Sequence, residues 1–146
     1  MRRDISGESR KDGILTTVRE RLLLQICVAL CGCVPVGAGL AGVLLGAGML
    51  DGIAGLPLDS HLRYLSGLLL ALGVAFWAGI PAIERQGPRY RLLAALVFCG
   101  GLARLGAALA LGFASLPMTL ALGMELVVTP LICLWQARVA RHAGQG

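Results

Sequence analysis

Apolar positions in this chain collect into four long blocks, Leu22–Leu50, Leu62–Ile83, Leu92–Phe113 and Met118–Trp135, with most charged residues outside them. Each block has about 18 residues or more, enough to cross a ~30 Å hydrocarbon layer as a helix. A helix also satisfies its own backbone hydrogen bonds where no water is present. The pattern therefore predicts an all-α integral membrane four-helix bundle. Residues 1–21 read as a flexible charged cytoplasmic tail, 22–138 as the four-span domain and 139–146 as a short second cytoplasmic tail. The basic start followed by an apolar run resembles a signal peptide. The run from Leu22 to Leu50 is much longer than the ~7–15 apolar residues of a signal core, so it reads as a span.

Composition agrees with this pattern and charge adds an orientation. Of 146 residues, 57% are hydrophobic and 14% charged, with a mean hydropathy of +0.80, which leaves too few polar residues for a soluble shell. The net charge of +5 invites a nucleic-acid reading, but the location of the charges removes it. Arg2, Arg3, Arg10, Lys11, Arg19 and Arg21 precede the first span, Arg85, Arg89 and Arg91 lie between spans two and three, and Arg138 and Arg141 follow span four. Only Arg63 falls on the other side, and Arg104 falls within the membrane. The bias places both termini in the cytoplasm. The expected partner is thus the lipid bilayer, with anionic headgroups near the basic N-terminus, and no nucleic acid.

The short loop from Asp51 to Asp59 is expected outside, with Asp59 as the N-cap of span two and His61, Arg63 and Tyr64 at the outer interface. Asp51, Asp59 and His61 are metal-ligating residue types. Nothing in their spacing fixes a coordination geometry, so no metal is expected there, and no cofactor elsewhere. Trp77, Tyr90 and Trp135 read as the inner aromatic belt. Cys27, Cys31, Cys33, Cys99 and Cys133 all fall inside spans, where cysteine packs as a small apolar residue; none is placed for an outer disulfide. In span one, Ala38, Gly42 and Gly46 recur every four residues and form a small-residue stripe. Such a stripe lets another helix approach closely, within the bundle or in a homo-oligomer or a complex with another membrane protein. Pro35 is expected to kink this span.

One constellation stands out. Arg104 and Glu125 lie ten or eleven residues from the turn at Phe113-Ala114-Ser115-Leu116-Pro117, hence at one depth, roughly 15 Å below that surface. A lone arginine at mid-membrane costs ~2.5–3.5 kcal/mol on insertion scales, and pairing it with Glu125 lowers that cost. Gly100 and Gly101 are expected to flank Arg104 as helix-packing residues. Thr129 can offer a hydroxyl one turn from Glu125, and Pro130 leaves the carbonyl of Leu126 without its helical donor. Arg104, Glu125 and Thr129 are therefore the candidate intramembrane polar site.

The segments His61-Leu62-Arg63-Tyr64-Leu65-Ser66-Gly67, Ile83-Glu84-Arg85 and Gly100-Gly101-Leu102-Ala103-Arg104, with Glu125 and Pro130, resemble a family of small bacterial inner-membrane proteins. It is catalogued as a domain of unknown function, number 4345, and the resemblance covers about Leu22 to Arg138. It implies a four-helix protein of the bacterial inner (cytoplasmic) membrane and supplies no activity or catalytic residue. Three function classes follow. In the first, a structural or accessory protein, a buried Arg104–Glu125 pair fixes helix register. In the second, the pair lines an intramembrane cavity of a small-molecule or lipid binder or transporter subunit. A membrane-embedded enzyme ranks last, because no nucleophile–base pair or metal set shares one depth, and no catalytic residue is assigned.

Overall fold

The computed structural model describes residues 5–49, 55–112 and 115–144, with side chains from residue 18 onward except at residue 49. Asp51, Phe113 and Ala114 lie outside the described residues. The chain is all-α, and among the described residues there is no strand. Helix α1 spans Ile5–Leu45 and continues through Pro35, followed by a 3₁₀ turn at Gly46–Met49. Helix α2 spans Leu56–Ala78, and a second 3₁₀ turn occupies Ile83–Arg85. Helix α3 spans Gly87–Leu111. The last arm comprises α4 (Leu116–Gly123), a π turn at Met124–Val128, and α5 (Thr129–Ala143).

Among the described residues, four stretches are long and apolar enough to cross a membrane: Val18–Gly48, Leu56–Ala78, Gly87–Leu111 and Leu116–Ala143. Their limits differ from the sequence expectation in instructive ways. α1 begins at Ile5, inside the segment expected as a flexible tail. α2 begins at Leu56, with Pro57 in its first turn, because proline's fixed φ and missing N–H suit the start of a helix. Asp59 is therefore not the N-cap, a position held by Gly55.

The chain divides into two compact units. One, Ile26–Pro81, pairs the later part of α1 with α2. Its closest approaches come at glycines of α1: a Cβ on Gly32 would strike the Trp77 indole, one on Gly39 the Leu70 backbone, and one on Gly42 the Ser66 hydroxyl. From α2, a Cβ on Gly73 would meet the Val36 side chain at 2.6 Å. Ala38 is exposed, so the expected stripe is corrected: the packed glycines include 32, 39 and 46, a seven-residue spacing, together with 42. Trp77 is held within this contact and donates its indole N–H to the Ala29 carbonyl at 3.0 Å.

The other unit joins Met1–Gln25 to Ala82–Gly146. Leu24, Ile83, Tyr90 and Val139 are buried in it, as is Gln136, whose amide donates to the Ile83 carbonyl at 2.7 Å. That bond gives a partner to the one polar side chain buried among the described residues, and a second donor to a carbonyl that also accepts the Gln86 N–H at 3.4 Å. Outward faces are apolar in both units, as shown by Leu30, Leu44, Leu68, Leu92, Leu109, Leu120 and Leu134. Large exposed leucines along every long helix suit a hydrocarbon surrounding and would be a liability in water.

Candidate functional site

The pairing of Arg104 and Glu125 is direct. Arg104 Nε donates to Oε2 and Nη2 to Oε1, each at 3.0 Å, the two-pronged geometry in which guanidinium and carboxylate bind most strongly. Gly101, one turn before Arg104 and buried, makes this possible. A Cβ there would lie 2.9 Å from Glu125 Cβ and 2.7 Å from Leu126 Cδ2. The missing side chain lets the last arm close on α3 until the carboxylate reaches the guanidinium. Gly100 has open space around it and takes no part in packing, which corrects its expected role.

Glu125 sits on the π turn at Met124–Val128. In an α-helix the Pro130 ring would press on the carbonyl four residues earlier and leave it without a donor. Widening the preceding turn by one residue relieves that conflict, and such turns recur at functional positions. Thr129 does not serve the carboxylate as expected. Its hydroxyl donates to the Met124 carbonyl at 2.9 Å, which also accepts the Thr129 backbone N–H. Threonine thus fastens the widened turn, and among the described residues Glu125 bonds to Arg104.

The expectation of a buried pair is corrected as well. The Arg104 side chain keeps 38% of its surface and Glu125 19%, so the pair lies at the edge of the contact between α3 and the last arm. Its exposed side faces whatever surrounds the helices. In hydrocarbon such a pair is screened far less than in water, so the attraction stays strong.

A second polar cluster joins Asp59 and Arg63 to the end of α1. Arg63 donates from Nη1 to the carbonyls of Val43 at 2.6 Å and Leu44 at 3.2 Å, and from Nε to Asp59 Oδ2 at 2.8 Å. The other Asp59 oxygen accepts the Ala47 backbone N–H at 2.8 Å. Both residues cap the end of α1, where carbonyls otherwise lack partners. Gly46 turns the chain there with φ +54°, a left-handed conformation natural to glycine. A Cβ on Gly46 would strike Asp59 and would lie 2.7 Å from Arg63 Nε, so the clasp needs glycine for space too. His61 and Tyr64 are exposed. Among the described residues no group of His, Cys, Asp and Glu is arranged to hold a metal ion, and the five cysteines are free thiols.

Residues 23–136 match the family described as Domain of unknown function (DUF4345). The chain belongs to this family. Both polar clusters, Arg104–Glu125 and Asp59–Arg63, fall within the matched region. No curated protein and no solved structure matches the chain.

Proposed function

We propose that this member of the family is a structural or accessory protein of the bacterial inner membrane, with both termini cytoplasmic and the Arg104–Glu125 pair fixing the register of α3 against the last arm. The observation that carries the reading is the two-pronged contact at 3.0 Å, made where Gly101 brings the arm against α3. Such a contact tolerates little sliding of one helix along the other, because both hydrogen bonds break together. The orientation rests on the basic residues gathered before span one, between spans two and three, and after span four.

A second reading makes the same pair part of an intramembrane site for a small molecule or lipid. The 38% of the Arg104 side chain left uncovered favours it, because a ligand could reach the guanidinium from that side. One set of variants separates the two. Arg104→Leu and Glu125→Leu each strand a charge, and breaking a buried pair costs ~3–5 kcal/mol. With Arg104 partly exposed, about 3 kcal/mol is expected. The exchange Arg104→Glu with Glu125→Arg restores compensation, so thermal stability in detergent should recover. If the pair only fixes register, the phenotype of deleting the protein is rescued as well. Recovery of stability without rescue would favour the binding site. Exchange variants as unstable as the single ones would overturn both readings.

A further inference from the structure

In the Met1–Gln25/Ala82–Gly146 unit, a cavity of about 370 Å³ is lined by the charged residues Arg21, Glu84 and Arg85. Val18, Val139 and Ala140 form much of its apolar lining. The size lies within the ~300–1,000 Å³ of small-molecule sites. Its charges are of both signs. Arg21 Nε stands 3.1 Å from Glu84 Oε2, close enough to offset charge. That oxygen is buried and accepts no hydrogen bond, and the Glu84 side chain keeps 17% of its surface exposed where it lines the cavity, so the carboxylate retains acceptor capacity there. Arg85 is exposed and forms no ion pair among the described residues.

A simple anion here would meet the Glu84 carboxylate, and a simple cation would meet two guanidiniums. A ligand bearing both charges suits the wall, and an apolar tail suits the valine and alanine lining. We propose that this cavity binds a phosphoethanolamine headgroup of a membrane phospholipid, with the phosphodiester on Arg85, the ammonium on Glu84 and the start of the acyl region against Val18, Val139 and Ala140. The same headgroup chemistry exists as free O-phosphoethanolamine, and the apolar lining assigns the lipid as the source. The site is separate from the Arg104–Glu125 pair and does not depend on its role. It rests on the membrane reading only for where the lipid comes from.

The test is native mass spectrometry of the full chain in detergent, with dioleoyl phosphatidylethanolamine, dioleoyl phosphatidylglycerol and O-phosphoethanolamine as probes. Binding in micelles does not depend on which way the chain faces a membrane, so failure here is distinct from failure of the topology. The wild type should hold the ethanolamine lipid about tenfold more tightly than the glycerol lipid, the scale of one charge-assisted hydrogen bond. Glu84→Gln should abolish that preference, Arg85→Ala should weaken both lipids by about tenfold, and Ala140→Phe should exclude both by filling the cavity. Thermal unfolding without added lipid identifies folded variants, and the wild-type preference stands as a test even where a variant fails to fold. Equal retention of the two lipids by the wild type, or lipid affinity unchanged in folded Arg85→Ala and Ala140→Phe proteins, overturns the proposal. Binding of O-phosphoethanolamine as tight as that of the lipid overturns its assignment to the membrane.

Discussion

Arg63 on α2 reaches the carbonyl of Val43 on α1 at 2.6 Å, and the same guanidinium holds Asp59, which in turn accepts the N–H of Ala47. One ion pair thus serves both the acceptors and a donor left where α1 ends at Leu45 and the chain turns at Gly46. Arg63→Ala should remove the clasp and lower the unfolding temperature by several degrees, a few degrees being the scale of one lost cap in a chain of this length. Lysine at 63 has one charged nitrogen and lacks the planar fork, so Arg63→Lys should recover only part of the loss. Thermal unfolding in detergent gives the comparison, and equal stability of wild type and Arg63→Ala would remove the capping role.

Neighbouring glycines on α3 should respond in opposite ways. Gly101→Ala places a Cβ 2.9 Å from Glu125 Cβ and should destabilise by roughly 1–3 kcal/mol, the usual cost of overpacking. Gly100→Ala meets nothing within 4 Å and should be neutral or stabilising by up to ~1 kcal/mol, the helix preference of alanine over glycine. Unfolding midpoints of the two variants should therefore fall on opposite sides of wild type or differ clearly. Similar losses at both positions would contradict the close approach at Gly101.

Gln136→Leu should cost roughly 0.5–1.5 kcal/mol, because it removes the 2.7 Å bond to the Ile83 carbonyl and leaves that acceptor only the longer one from the Gln86 N–H at 3.4 Å. Gln136→Glu should be worse, since a carboxylate can accept but cannot donate to that carbonyl unless protonated. Hydrogen exchange offers a second reading: amides around Ile83–Arg85 should lose protection in both variants. Unchanged exchange would show that the turn is held by other contacts.

Reporter fusions can test the orientation. A periplasm-active reporter after residue 55 should be active and one at the C-terminus silent, with a cytoplasm-active reporter giving the reverse. Periplasmic activity at the C-terminus would refute the proposed topology.

The spans were legible because the length of an apolar run is a direct physical requirement of the bilayer. The Arg104–Glu125 contact was legible for a related reason: equal distance from a turn means equal depth in two antiparallel helices. Local partner choice was not. Thr129 had two acceptors within one turn, and sequence could not foresee that the π turn would bring the Met124 carbonyl to it. Arg63 and Val43 are twenty residues apart with a loop between them, so no periodic signal links them. Two other features do carry local sequence signals. Pro57 after Gly55 is a helix-start signal, and glycines 32, 39 and 46 repeat every seven residues, a spacing that the four-residue stripe through Ala38 obscured.

The π turn has a consequence for chain length. Each helical residue advances about 100°, so deleting one from an α-helix swings everything beyond it by that angle. At Met124–Val128 the arm already holds one residue more than an α turn requires. Losing Val127 or Val128 would let the turn close to the α form while Ile132, Gln136 and Val139 kept their bearing toward the core. A one-residue deletion in α3 between Leu93 and Arg104 has no such reserve and would turn the guanidinium away from its partner. The last arm therefore carries a spare residue beside the acid that must not move.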